Sequence, residues 1–362
     1  MERVVLFYPH IPKDAPLKVA ATLRTRWIGQ GPKVDQFERY FSKSLANNSP
    51  CIAVGSGTDA LHLAYILAGI KPGDEVITPV FTCTATNIPL LYLGAKIKFA
   101  DVDVDTLNID IDHVNALISE KTKAIICVHY GGLPCDMDGL IKLSEKYQIP
   151  IIQDSAHAIG AKFKNKHVGT FGDTGCFSFY PTKNLGAIGD GGIVGTNDTV
   201  LADKIRCLRN GGQSLPNHHE SMGVNSRLDE IQAAVLRAKL PFLRQWTERR
   251  RSLAAFYRTN LNETSVRIPA EVDAGHVYHL FPVHSTERNR LQEYLKSNGI
   301  YTLIHYPTPI PQQPAFATYK VDCPTANRLC NELLSLPLHP NLTDSEIQLV
   351  ALTVSRFMPT SV

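Results

Sequence analysis

Apolar and polar positions along this chain follow two periods, and the switches between them mark its elements. Between residues 34 and 45, Phe37, Tyr40 and Phe41 recur at helical spacing, which predicts an amphipathic helix. Cys51-Ile52-Ala53-Val54 is short and wholly apolar and predicts a buried strand. Gly55-Ser56-Gly57 turns the chain into a helix over residues 58–68. Further strands are predicted over 75–78, 96–100, 124–129 and 149–153, with helices near 86–92 and over 140–147. Strands alternating with helices predict an α/β fold. The sheet is mainly parallel, with helices on both faces.

The pattern changes after about residue 240. Leu240-Pro241 and a charged helix over 245–257 bridge to a second unit. That unit reads as a strand over 277–283, a helix over 287–298, a short strand over 301–305, a Pro-rich stretch over 307–314 and a last helix over 344–357. The expected organisation is an N-terminal arm (1–30), a large domain (31–243) and a small C-terminal α/β domain (244–362).

The bulk numbers narrow the class. A chain of 362 residues suits two domains with ample core. Net charge is +3 from 37 basic and 34 acidic residues, which gives no argument for nucleic acid. The densest basic run, Glu248-Arg249-Arg250-Arg251, is expected to be a solvated helix face. No apolar run reaches the roughly 18 residues a membrane helix needs, and the first residues do not read as a signal peptide. Eight scattered cysteines form no C-x-x-C pair, so neither a zinc site nor any other metal centre is expected. Several lie in apolar runs, as buried reduced thiols do, which fits a cytoplasmic protein.

The chemistry concentrates around Lys183, in Phe179-Tyr180-Pro181-Thr182-Lys183-Asn184-Leu185-Gly186. Upstream, the apolar run 149–152 leads to Asp154, where ligands sit in open parallel sheets. An Asp at a strand end, then a Ser and a Lys on a later loop, is the set a pyridoxal phosphate (PLP) enzyme requires. Lys183 holds the cofactor covalently through its amine, and Asp154 keeps the pyridine nitrogen protonated. A free Lys, with a pKa of about 10.4, is a poor nucleophile at neutral pH, and desolvation would correct that. Gly55-Ser56-Gly57-Thr58 offers helix-start amides as a phosphate cradle, and Ser178 a hydroxyl. Each feature also has a plain alternative. The Gly turn is an ordinary turn, Asp154 a helix N-cap, Ser178 a backbone-bonded buried serine, and His157 a satisfied core histidine.

Together with Trp27-Ile28-Gly29-Gln30-Gly31-Pro32, Phe37-Glu38, Gln153-Asp154-Ser155-Ala156-His157, the run from Asn225 to Ala234, His305-Tyr306-Pro307 and Leu336-Pro337-Leu338-His339-Pro340, these motifs run nearly end to end. The chain resembles the DegT/DnrJ/EryC1/StrS family of PLP-dependent sugar aminotransferases, of aspartate-aminotransferase fold (fold type I), which implies a seven-stranded-type sheet in a large PLP-binding domain. The resemblance implies transfer of an amino group from an amino acid, glutamate first, to a keto group of a nucleotide-linked sugar. It implies Lys183 as the catalytic lysine, Asp154 as the pyridine partner and His157 as a contact to the ring hydroxyl. Ser178 and the Gly57 and Thr58 amides are implied as phosphate ligands. It also implies a homodimer with active sites at the interface, Asn225 reaching the neighbouring subunit's phosphate, and Arg227, His305 and Tyr306 lining the sugar-nucleotide site. One position departs from the family. Where many members carry an aromatic residue that stacks on the ring, this chain has Cys83, in Thr82-Cys83-Thr84-Ala85-Thr86. Either Phe81 takes over the stacking, or the small side chain leaves room for a different substrate. Some relatives replace the Lys with His and act as dehydratases, which Lys183 argues against here. Two other readings stand beside the first: transamination of a non-nucleotide ketone such as a cyclitol, and a non-catalytic PLP- or nucleotide-sugar-binding regulator.

Overall fold

The computed structural model describes residues 3–269 and 275–359. Its centre is a seven-stranded sheet of β1 (Cys51–Val54), β2 (Glu75–Pro79), β3 (Lys96–Ala100), β4 (Thr122–Val128), β5 (Ile151–Asp154), β6 (Thr174–Ser178) and β7 (Gly192–Thr196). The order is β1-β7-β6-β5-β4-β2-β3, and β7 alone runs antiparallel to its neighbours. Around it lie α1 (Ala15–Leu23), α2 (Pro32–Leu45), α3 (Gly57–Leu67), α4 (Ile88–Tyr92), α5 (Ile111–Leu117), α6 (Met137–Tyr147), α7 (Thr199–Leu208) and α8 (Glu230–Lys239). The period-2 geometry of a strand decides which helix each residue meets. In β4, Ala124 and Ile126 join a core shared with α3 and α7, whereas Ile125 and Cys127 join one with α5 and α6. In β1, Ile52 and Val54 face the first core, and Cys51 and Ala53 meet Val34, Phe37 and Phe41 of α2.

The helix α9 (Leu243–Leu261) leads into a second core with α10 (Arg288–Ser297), the antiparallel pair β8 (Phe281–His284) and β9 (Leu333–Leu336), and α12 (Asp344–Ser355). Leu243 still packs with the first unit, and Leu253, Tyr257 and Leu261 with the second. The segment from Ile310 to Cys330, including α11 (Pro324–Glu332), returns to the first core. It is held there by Asp101, which follows β3. Its carboxylate accepts from Thr325 N and Ala326 N at 2.9 Å each, capping the start of α11.

Several expectations needed correction. Helix α1 was not foreseen, because Leu17 and Leu23 are exposed and its pattern gives no inward apolar stripe. The strand expected over 277–283 is only β8. Residues 301–305 form no strand, since Leu303 makes a single bridge to Ser335. Arg250, expected on a solvated face, is buried and donates to Tyr278 O at 3.0 Å and Leu338 O at 2.7 Å. Carbonyls of the second unit replace the water its guanidinium would otherwise need.

Two buried acids fix α2, one to α8 and one to the sheet. Glu230 accepts at Oε1 from Lys33 N at 2.8 Å and Val34 N at 2.9 Å, serving the first amides of α2. Glu38 pairs with Arg209 at 2.6 Å and also accepts from Ala53 N of β1 at 2.8 Å. Removing one member leaves an uncompensated buried charge. Glu38→Ala should therefore cost about 3–5 kcal/mol. Denaturant titration checks this, and a loss under about 1 kcal/mol, the value of an exposed pair, would contradict it.

Candidate active site

Strands β2, β4, β5 and β6 run in the same direction, so their carboxyl ends open at one edge of the sheet, where ligands collect. A cavity of about 360 Å³ lies there. Asp154 ends β5 beside Cys176 of β6. Its Oδ1 accepts from Ala156 N at 3.1 Å and its Oδ2 from Thr86 Oγ1 at 2.9 Å. No helix follows β5, so the N-cap alternative falls away. Ser178 ends β6, and the chain then turns tightly to present Lys183. Lys183 N donates to Tyr180 O at 2.8 Å, and Ala187 N to Phe179 O at 2.7 Å. Gly186 is required in this turn, since a Cβ there would lie 2.3 Å from Pro181 O.

The opposite wall is the start of α3. Ser56 caps the helix, accepting from Asp59 N at 3.0 Å, and the first amides of a helix have no intrahelical acceptor. A Cβ on Gly57 would sit 2.7 Å from Ser178 Cβ, so only glycine lets this turn approach β6. The result is a cradle of amides and a serine hydroxyl suited to an anion. From the second unit come His305 and Tyr306. Tyr130 Oη donates to His305 O at 2.5 Å.

Burial sets the charges. It pushes the Lys183 amine down to about 8, against the pull of Asp154 and Cys83. It pushes the Asp154 carboxyl up, against the Ala156 and Thr86 hydrogen bonds and Lys183. His157 is driven well below the usual imidazole range by burial and then by Lys183, and His305 down to about 4 by the same two causes. His279 also lies well below that range, through burial first and then His157. The three imidazoles are therefore neutral at pH 7.

Of the residues singled out in the sequence, Gly57, Thr58, Cys83, Asp154, His157, Ser178, Lys183, His305 and Tyr306 line the one cavity. Phe81 does not. It is 1% exposed and packs on Tyr130 and Tyr306, with ring centroids 5.2 and 5.9 Å away. Cys83, not Phe81, faces the cavity, because the chain bends at Phe81 and Thr82 and leaves the Phe81 ring packed in the core. Asn225 and Arg227 are exposed and lie outside this cavity. Sequence reasoning missed Thr86, His279 and Phe7. His279 lies 4.6 Å from the ring of His157, and Phe7 of the N-terminal arm stacks on it at 5.7 Å. Among the described residues no cluster of three or more His, Cys, Asp or Glu could hold a metal, and no helix is long and apolar enough to cross a membrane.

Similarity to known proteins agrees with this geometry. The chain is 45% identical over 313 residues to a pleiotropic regulatory protein of Geobacillus stearothermophilus, covering 84% of each. It is 44% identical to a UDP-N-acetyl-3-dehydro-α-D-glucosamine 3-aminotransferase of Acidithiobacillus ferrooxidans, covering 84% of this chain and 83% of that protein. Among solved structures, S. venezuelae DesV in complex with a ketimine intermediate superposes with a TM-score of 0.92 at 35% identity, over 96% of this chain and 98% of that one. The model of the DegT/DnrJ/EryC1/StrS aminotransferase family matches residues 9–355, and the chain belongs to that family.

Proposed function

We propose that this protein is a PLP-dependent aminotransferase that moves an amino group from an amino acid, glutamate first, to a keto group of a nucleotide-linked sugar. The observation that carries this is the meeting of Lys183, Asp154 and the Gly57–Ser178 cradle in one cavity. The residues fit the cofactor at each end. A buried carboxylate awaits a cationic ring nitrogen, the cradle suits a phosphate, and an amine pushed down to about 8 suits an aldehyde. When bound, PLP supplies an electron sink for exchange of amino and keto groups. Lys183 would hold it through its amine, and the same amine would take the proton from the donor Cα. Asp154 balances the positive ring nitrogen. Neutral His157 contacts the ring hydroxyl, and Ser178 with the Gly57 and Thr58 amides holds the phosphate. His305, Tyr306 and Cys83 face the sugar side.

The working unit is a homodimer, with Asn225 and Arg227 serving the partner's site. Their exposure outside their own cavity supports this, as do Leu17, Leu23, Trp27 and Met222, apolar side chains left exposed on a single chain. The division into an arm (1–30), a large domain (31–243) and a small domain (244–362) is supported by the two cores that meet along α9. Eight free thiols, six of them buried, support a reducing cytoplasm. The regulatory name of one relative raises a binding-only reading. An enclosed Lys183 whose amine burial pushes down to about 8 favours catalysis.

Purified protein should show a near-visible absorption band that glutamate bleaches, and borohydride should label the Lys183 peptide. A panel of keto-sugar nucleotides with glutamate, read by mass, identifies the acceptor. Lys183→Ala should abolish turnover with the fold retained, and unchanged steady-state rates would sink the assignment. In the cofactor-free protein the neutral fraction of Lys183 grows as pH climbs through about 8. An amine-directed reagent should label it with that midpoint, whereas a profile rising only near the ordinary lysine value contradicts the burial argument. Asn225→Ala should weaken cofactor retention. Mixing its subunits with Lys183→Ala subunits should restore turnover, and failure to complement argues against a shared site.

A further inference from the structure

The Thr82–Thr86 turn has no part in the reading above except through Cys83, yet two of its hydroxyls reach the acid at the centre of the site. Thr86 is fully buried and donates from Oγ1 to Asp154 Oδ2 at 2.9 Å. Thr82 Oγ1 lies 3.0 Å from Thr86 Oγ1. A threonine hydroxyl has a single proton. With Thr86's proton committed to the carboxylate, the bond between the two threonines runs from Thr82 to Thr86. The three groups form one directed chain in which each bond polarises the next. The turn is held independently of any ligand, because Tyr65 Oη donates to Thr86 O at 2.8 Å and Thr86 N to Cys83 O at 3.1 Å.

We propose that Thr86, backed by Thr82, is a positioning residue that holds the Asp154 carboxylate ionised and aimed into the cavity. This rests on the PLP reading of the site. An ionised carboxylate accepts at both oxygens, as Asp154 does here, whereas a neutral one turns one of them into a donor. Burial drives Asp154 towards the neutral form, and the groups that oppose it are Ala156 N, Thr86 and Lys183. Of the three, Lys183 is consumed in holding the cofactor. Ala156 N serves only Oδ1, which leaves Oδ2 to Thr86. Thr86 itself stands behind the cavity wall, so its bond persists whatever the cavity holds.

The test uses holoenzyme reconstituted with PLP labelled with ¹⁵N in the ring. In Thr86→Val the ring-nitrogen resonance should move towards its unprotonated position, and cofactor dissociation should become about tenfold or more stronger, the worth of a hydrogen bond to a charged group. Thr86→Ser should restore both, which a purely steric role would not require. Thr82→Val, one step removed, should move the resonance less and in the same direction, and it keeps the test open should Thr86→Val fail to fold. Asp154→Asn serves as reference. If it leaves the resonance in place, the PLP reading of Asp154 fails. If it moves the resonance and neither threonine variant does, the positioning role is overturned.

Discussion

The burial of an acid and an amine in one cavity is the constraint on which the rest of this structure depends. Asp154 and Lys183 are both removed from water, and removal pushes each towards neutrality: the carboxyl up, the amine down. They favour each other's charged forms, but neither shift is cancelled. The cavity therefore suits a ligand with a cationic nitrogen at one end and an electrophilic carbon at the other. Pyridoxal phosphate meets both demands, and its phosphate meets the third, the cradle that Gly57 makes possible. The neutral imidazoles of His157, His279 and His305 follow from the same cause, since a further cation beside Lys183 in a dry site is unfavourable.

The adjacency of β5 and β6 makes this arrangement reproducible. Parallel pairing of Asp154 with Cys176 places Ser178 two residues beyond, and the turn closed by Lys183 N and Ala187 N brings the lysine back over the sheet edge. Glu38, Arg209 and Glu230 tie α2 to β1 and α8, and α2 covers the face of the sheet away from α3. The polar groups buried far from the cavity are thus part of its support.

What the sequence revealed follows physical locality. Strands covered on both faces read as continuous apolar runs, so β1, β4 and β5 were visible to within two or three residues. Lys183, Asp154, Ser178 and Gly57 were legible because the turn or strand end that presents each is encoded by its immediate neighbours. Thr86, His279 and Phe7 were not, because each acquires its role from a residue distant in the chain: Asp154 for Thr86, His157 for His279, and His279 for Phe7. The same reason hid Arg250, whose carbonyl partners lie beyond residue 277, and Asp101, which caps a helix more than two hundred residues later.

The departure at Cys83 gains a physical meaning from this. Phe81 packs on Tyr130 and Tyr306 and does not line the cavity. A thiol occupies less volume than an aromatic ring, and Tyr306, His305 and Phe7 line the same cavity as Cys83. Those three side chains come from the N-terminal arm and the second unit, which are joined to each other by the Val4–Ile300 bridge. The sheet edge thus supplies the chemistry. The arm and the second unit add Phe7, His305 and Tyr306 to the same cavity, and Cys83 lines it with them.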